Sequence, residues 1–375
     1  VKVLVTGSRG FIGKNLCTVL QNRQEAEIFR FAHDDDPKKL RDIAPNVGFV
    51  FHLAGVNRPE DIKEFEEGNL AFTEMLLKTL EEAGNSPGLV LSSTIQAKLD
   101  NPYGKSKRKA EEAVFAWAQK TGAKATVYRL PNVFGKWCRP NYNSVVATWC
   151  QAVANGLPIR IDDPKKELTL VYIDDVVKEF INAMEGNPTV DETGYGTIAR
   201  QYRVCLQDLA DMLQSFKKSR ETLVMPDFSE AFTKALYGTY LSYLPETEFS
   251  YTLGTKSDNR GWLAEILKSP AIGQIFISTT KPGITRGDHW HHTKTEKFIV
   301  VKGEAVIRFR KIGEEKVIEY PVSGNNPEVV DIPTGYTHSI TNTGDDELIT
   351  LFWANEILDP EAPDTFYSEV EKDES

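Results

Sequence analysis

From Val1 to about Ala199, short and nearly continuous apolar runs recur, separated by helical patterns, and this rhythm limits the fold more than any other feature. The runs are VKVLVTG, EIFRFA, GFVFHLAG, GLVLSST, KATVYRL and LTLVYI. A strand that is apolar on both faces belongs in a parallel sheet covered by helices on both sides. The pattern predicts an α/β unit with a doubly wound parallel sheet. Two more helices are expected around 206–218 and 228–243. After LSYLPETEFS the period shifts towards two and turns become frequent. Ala305, Ile307 and Phe309 alternate there with Val306, Arg308 and Arg310, as in an antiparallel barrel or sandwich. The expected division is residues 1–245 and 246–375, with an acidic, proline-containing extended tail from Asp359.

Composition removes several function classes. A length of 375 residues allows two cores, and 41% hydrophobic with 26% charged residues argues against disorder. A net charge of −10, spread along the chain, argues against a nucleic-acid or anionic-membrane surface. Cys17, Cys138, Cys150 and Cys205 show no CxxC spacing and read as free thiols in a reducing compartment. No run approaches ~18 apolar residues. The first residues form a strand pattern, not a leader peptide, so a cytoplasmic protein is expected.

Two stretches of the α/β part carry chemistry. TGSRGFIG places Gly7, Gly10 and Gly13 after a strand and at the start of a helix. Glycines there let the backbone approach a pyrophosphate at the helix N-terminus, although an ordinary βα turn also uses them. YGKSK places Tyr103 and Lys107 on one helical face, in a stripe with Ala110, Val114 and Trp117. A lysine in the middle of an apolar stripe needs a reason other than reaching solvent. Asn69 shares a face with Phe65, Phe72 and Leu76 in the same way. A phenol pKa near ~10 is too high for proton exchange at neutral pH, and a neighbouring ammonium lowers it. Tyr103 is therefore a candidate acid/base. A hydroxyl of LSST (Ser92, Ser93 or Thr94) could hold a substrate carbonyl.

These residues, with HLAG, RLPNVFG and VYIDDVV, resemble the extended short-chain dehydrogenase/reductase family over about residues 1–200. The resemblance implies a Rossmann-like fold, catalytic Tyr103 and Lys107, and Thr94 as the catalytic hydroxyl with Ser93 still open. It also implies a supporting Asn69 and a cofactor site formed by Gly7, Ser8, Arg9, Gly10, Phe11, Ile12, Gly13, Leu53 and Ala54, together with Tyr103 and Lys107. Only eight residues separate Thr94 from Tyr103, fewer than the family usually has, and its substrate-binding half looks trimmed. The second strand ends FRFAHDDD, with Arg30 where NAD-preferring members carry an acid. Arg9 and Arg30 suit a 2′-phosphate and predict NADPH; the competing reading gives the ribose to Asp34–Asp36.

Near the other end, Gly283, His289, His291, Glu296 and Gly303 match the first cupin motif, and Pro333, Gly335, His338 and Asn342 the core of the second. The second motif's leading glycine, Gly324, lies nine residues before Pro333 instead of six. This resemblance, over roughly 270–355, implies an all-β cupin barrel. His289 and His291, two apart on a strand, would point the same way, with Glu296 and His338 arriving from adjoining strands. Three imidazoles and a carboxylate suit zinc, iron, manganese or nickel, and zinc is the preferred expectation. The metal could instead only clip the barrel. His292 has the opposite parity and is expected to face outward. His292, Lys294 and Lys302 are acid/base candidates by proximity alone.

The pairing of these two parts, with the DNRGWLAEIL segment, resembles the CapF-type capsular-polysaccharide enzymes along the whole chain. That family resemblance implies a homodimer acting on a UDP-4-keto-6-deoxy-HexNAc. The cupin would epimerise C3 before the reductase reduces C4, because only the ketone acidifies the C3 hydrogen. Competing readings are a plain NADPH sugar reductase with a structural or dimerising cupin, a non-catalytic NADP(H)-binding scaffold, and an iron oxygenase.

Overall fold

The computed structural model describes residues 1–23, 26–32, 34–57, 61 and 65–371. The chain divides into two compact units, residues 1–214 with 231–245, and residues 215–230 with 246–375. The grouping of 215–230 with the later residues departs from the contiguous division expected. Backbone pairing accounts for it: the Met225 N–H donates to the Lys268 carbonyl and the Lys268 N–H to the Leu223 carbonyl, each at 2.7 Å.

In the first unit, β1 (Lys2–Thr6), β2 (Glu27–Phe31), β3 (Phe49–His52), β4 (Gly88–Thr94) and β5 (Ala125–Leu130) form a parallel sheet in the order β2-β1-β3-β4-β5. Alternate side chains feed two cores. Val3, Val5 and Phe51 pack with Leu16, Leu20, Val176 and Phe180 of the helices Phe11–Gln21 and Ile173–Met184. Leu4, Val50 and Leu91 pack with Leu76, Leu80, Val114 and Trp117 of the helices Phe72–Glu82 and Pro102–Thr121. Burial on both faces is why these strands read as unbroken apolar runs.

The sixth run, LTLVYI, does not extend this sheet. It forms β7 (Glu167–Tyr172), between β6 (Asn132–Phe134) and β8 (Tyr202–Cys205), in a three-stranded sheet of its own. Pro131 separates β5 from β6; it has no N–H for the ladder, and the chain leaves the large sheet there. The later helices are Leu206–Thr222 and Ala231–Leu241.

The second unit packs two antiparallel sheets. One has the order β16-β13-β18-β11-β10-β9, from β9 (Thr255–Asp258), β10 (Gly261–Ser269), β11 (Gly273–Thr280), β13 (Glu296–Lys302), β16 (Val329–Ile332) and β18 (Leu348–Ala354). The other has the order β15-β14-β17-β12-β19, from β12 (Thr285–Trp290), β14 (Glu304–Lys311), β15 (Val317–Ser323), β17 (Tyr336–Asn342) and β19 (Phe366–Tyr367). Phe298, Ile307, Phe309, Ile340 and Phe352 fill the space between them. Gly324 donates its N–H to the Gly303 carbonyl (3.0 Å), and an added Cβ would lie 2.6 Å from the Val301 carbonyl oxygen. The displaced motif glycine thus packs against the turn made by the earlier one.

Arg310, which alternates with the core-facing Ala305, Ile307 and Phe309 of β14, is buried as well, and its guanidinium donates to the Glu369 carbonyl (2.5 Å) and the Val370 carbonyl (3.0 Å). The tail from Asp359 is not simply extended: β19 joins a sheet and Val370 is 1% exposed. Both follow from one event, the chain end folding back over β12, β14 and β17. Among the described residues, no helix is long and apolar enough to cross a membrane.

Candidate functional site

The glycine loop between β1 and the helix Phe11–Gln21 is built on backbone-to-backbone contact. Gly7 has φ +66°, and a Cβ on it would lie 2.7 Å from the Ala54 nitrogen. A Cβ on Gly13 would lie 2.2 Å from the Gly7 carbonyl oxygen. The Gly10 N–H donates to the Gly7 carbonyl (2.9 Å), and no side chain caps the helix that follows. That helix start can receive a diphosphate through its free amides and its dipole. Ser8 ties the loop to β2 through the Phe31 carbonyl, while Phe11, Ile12 and Leu53 pack on the core. Thr6 Oγ1 accepts the N–H groups of Leu53 (3.2 Å) and Ala54 (3.3 Å). His52 lies buried between the Thr6 and Thr73 hydroxyls, and burial pushes its pKa down to about 3, so it is neutral.

The two arginines expected to share a 2′-phosphate are placed differently. Arg9 NH1 contacts both carboxylate oxygens of Asp34, at 2.9 and 2.7 Å, on the surface beside the glycine loop. Arg30 reaches Gln21 (3.3 Å) at the far end of the helix and lies against Cys17, so its strand position directs it away from the loop. Of the pair, Arg9 alone stays beside the loop.

Tyr103 and Lys107 lie in the first turns of Pro102–Thr121, which starts with Asn101 Oδ1 accepting the Gly104 N–H (2.7 Å). A Cβ on Gly104 would lie 2.3 Å from the Gln96 carbonyl oxygen, so this helix start packs directly on the turn after β4. The close approach brings the Tyr103 phenol into hydrogen-bond contact with the Thr94 hydroxyl. Lys107 is buried and donates to the Ser92 carbonyl (2.8 Å). Asn69 clamps both backbone groups of Val56 at 3.0 Å and donates to Ser106 Oγ (3.0 Å). A Cβ on Gly55 would lie 2.8 Å from Asn69 Oδ1 and 3.3 Å from Lys107 Nζ, so any larger residue at the end of HLAG would have to displace Asn69.

The charge state departs from expectation. Burial and the nearby Tyr142 phenol raise the Tyr103 pKa, and the Thr94 hydrogen bond opposes them only in part. Burial pushes the Lys107 ammonium down to about 8, with Glu111 acting the other way. Tyr103 is therefore a protonated phenol, the form that can donate a proton to a carbonyl oxygen undergoing reduction. Desolvation of the phenol, which no local sequence pattern records, is the largest influence on its pKa.

Ser93 and Thr94 have separate partners. Ser93 Oγ donates to Glu111, which is 1% exposed and also holds Arg129 bidentately, with Nη2–Oε2 at 2.6 Å. Arg129 in turn lies 3.9 Å from the centre of the Tyr195 ring. This buried network escaped sequence reasoning, although Glu111 stands four residues after Lys107 and offered a signal.

In the second unit, His289, His291, Glu296 and His338 each present one ligand atom, all within 4.8 Å of one another. His289 pairs with His338 across β12 and β17. His291 lies just past the end of β12, not on a strand as expected, and a bulge between Gly287 and His289 sets the aim of the latter. His338 is fully buried with neither ring nitrogen hydrogen-bonded, though Nε2 lies 3.4 Å from Glu296 Oε2. A buried imidazole without partners is costly unless an ion completes it, so the residues present fit a divalent metal. Burial pushes the His289 pKa down to about 4, leaving a neutral ring with a free lone pair. Burial alone would raise the Glu296 pKa, but the imidazoles beside it and Lys294 outweigh that and keep it a carboxylate.

Below the cluster lies an aromatic floor. Glu296, Ala354 and Gln274 form one cross-strand row, and Phe298, Phe352 and Phe276 form the next row inward. Phe276 and Phe352 stack at 4.7 Å, and Phe298 meets Phe352 edge-on at 4.6 Å. His292 and Lys302 are exposed, whereas Lys294 is mostly buried, with Nζ 3.5 Å from Glu296 Oε1.

Known proteins share both parts. Residues 3–193 match the NAD dependent epimerase/dehydratase family, and residues 256–366 match the polysaccharide biosynthesis C-terminal domain. The UDP-2-acetamido-2,6-beta-L-arabino-hexul-4-ose reductase of Pseudomonas aeruginosa is 44% identical over 370 residues, 99% of each chain. The dTDP-4-dehydro-6-deoxyglucose reductase of Escherichia coli is 23% identical over 59% of this chain and 83% of its own. The crystal structure of the capsular polysaccharide assembling protein CapF from Staphylococcus aureus superposes with a TM-score of 0.93 and 46% identity, covering 99% of this chain and all of that one. With likeness of that extent over its whole length, the chain belongs to the NAD dependent epimerase/dehydratase family and, within it, to the group formed by CapF and the P. aeruginosa reductase.

Proposed function

We propose that this chain is a bifunctional nucleotide-sugar enzyme acting on a UDP-2-acetamido-2,6-dideoxy-4-hexulose. In this reading the cupin-type β unit inverts C3 and the α/β unit then reduces the C4 ketone with NADPH, giving a UDP-2-acetamido-2,6-dideoxy-L-talose-type product. The observation that carries the proposal is Tyr103 hydrogen-bonded to Thr94, with Lys107 buried one turn along the same helix, in the same chain as a His₃Glu cluster whose His338 has neither ring nitrogen hydrogen-bonded. The whole-length likeness to a 4-keto-hexulose reductase supports the substrate class.

When bound, the nicotinamide would supply a hydride, and a divalent ion, zinc by preference, would supply an electrophile for a carbonyl oxygen. The residues do the rest. Thr94 and Tyr103 hydrogen-bond the C4 oxygen, Tyr103 gives it a proton, and the Lys107 charge favours the phenolate that remains. The ketone acidifies the C3 hydrogen and the alcohol does not, so epimerisation precedes reduction. NADPH preference rests on Arg9 leaving Asp34 for a 2′-phosphate; lower KM for NADH than for NADPH would overturn that choice. The homodimer stays part of the proposal, to be checked by light scattering.

A second reading keeps the reductase and makes the β unit a metal-clipped structural or dimerising module. The near-complete burial of His291, Glu296 and His338 favours it. Incubating the keto-sugar with Tyr103→Phe protein in D₂O separates the two: deuterium at C3 supports epimerisation, and its absence leaves the structural module. Product NMR with and without NADPH then reads the reduction itself.

A further inference from the structure

We propose that the C-terminal strap, residues 364–370, is a positioning element for the His₃Glu cluster, and that Asp364 sets the tautomer of His291. The inference rests on the metal-site reading above and goes beyond it, because the cupin motifs end at Asn342 and nothing in them calls for this segment.

The contacts reach every histidine of the cluster or its immediate neighbour. The Asp364 carbonyl lies 2.5 Å from His291 Nδ1. A carbonyl only accepts, so Nδ1 carries the hydrogen and Nε2, 3.4 Å from Glu296 Oε2, keeps the lone pair an ion needs. The carboxylate of the same residue accepts the N–H groups of His292 (2.9 Å), Thr293 (2.7 Å) and Lys294 (2.8 Å), fixing the loop from His291 to Glu296. Tyr367 pairs in register with His289, and Phe366 with Trp290. The Ser368 N–H donates to the Asp288 carbonyl (2.9 Å) and the Val370 N–H to its carboxylate (3.1 Å). Asp288 has φ +56°, a strained backbone for a non-glycine residue, inside the bulge that aims His289. Thr337, next to His338, donates its hydroxyl to the Ser368 carbonyl. Arg310 holds the far end through Ser368, Glu369 and Val370.

A loop and a bulge are looser supports than regular strands for two imidazoles that must meet at one ion. The strap supplies restraint from outside the strands. Groups that hydrogen-bond a metal-binding histidine commonly change metal affinity by about 10–100-fold when lost.

The test uses the full chain. Long-range ¹H–¹⁵N NMR on the metal-free protein reads the His291 tautomer, and competition with a chromophoric chelator reads zinc affinity. In the wild type the hydrogen is expected on Nδ1. Asp364→Ala keeps the main-chain carbonyl but frees the 292–294 amides that the carboxylate holds, so the carbonyl and His291 Nδ1 are expected to separate, the tautomers to mix and zinc binding to weaken about 10–100-fold, with Asp364→Asn restoring part of the loss. Arg310→Leu, acting at the other end, is expected to weaken binding while amide exchange in β14 and β17 stays slow. Wild-type affinity in Asp364→Ala, with exchange showing the strap released, would overturn the proposal, as would an Nε2 hydrogen on wild-type His291. If Asp364→Ala fails to fold, the Asn and Leu variants carry the same comparison. A wild type that binds no zinc would sink the metal site itself, while the tautomer would still decide the role of Asp364.

Discussion

The Tyr103–Lys107 site and the His₃Glu cluster are assembled over different distances along the chain. The first is two residues one helical turn apart, completed by the neighbouring strand end at Thr94. The second draws one ligand from β12, one from just beyond it, one from β13 and one from β17, and its outer support from Asp364, 73 residues after His291. A site carried on one helix keeps its internal spacing whatever happens elsewhere, because the helix fixes it. A site drawn from several strands is only as well placed as its ladders, its bulge and its strap.

The contrast can be tested in order of expected effect. On the proposed mechanism Tyr103→Phe removes the proton donor and should lower kcat for ketone reduction about 10²–10⁴-fold. Stopped-flow oxidation of NADPH checks this, and a modest loss would mean the helix does not carry the chemistry. Glu111→Gln, one turn beyond Lys107 on the same helix, leaves Arg129 without its buried carboxylate partner. A loss of about 3–5 kcal/mol is expected by urea unfolding, reporting how far the helical site depends on a long-range pair.

The pH dependence of reduction sharpens the comparison further. If the Lys107 charge is required, kcat/KM should be level below about pH 8 and fall about tenfold per pH unit above it as the ammonium deprotonates. The smallest effect concerns stability of the α/β unit. His52 has a folded pKa of about 3 against an ordinary 6.5, so the folded state binds fewer protons than the unfolded chain. Its contribution is present above pH 6.5 and lost as pH falls towards 3. Between pH 7 and pH 5 its share should be about 2 kcal/mol, read from urea unfolding at the two pH values.

Legibility in the sequence follows the same division. The runs that became β1 to β5 were readable because burial on both faces leaves a continuous apolar signature. Gly7, Gly13, Tyr103 and Lys107 were readable because their geometry is local. Arg30 misled because its direction depends on which face of β2 meets the helix Phe11–Gln21. LTLVYI misled because an apolar strand carries no mark of the sheet it will join.

The β unit shows the limit. Motif spacing named His289, His291, Glu296 and His338, and strand parity faced His292 outward. Nothing in the spacing of Asp364 or Arg310 connected them to that cluster, and the acidic tail read as an extended segment. The sequence by itself determined two units, a nucleotide-type glycine loop, a candidate acid/base pair and a set of potential metal ligands, all from periodicities shorter than about two helical turns or from strung motifs. Only the tertiary structure decided that Tyr103 stays protonated, that Ser93 serves Glu111, and that the chain end closes over β12, β14 and β17. Each of these depends on desolvation and on hydrogen bonds between residues far apart in sequence, which local pattern does not encode.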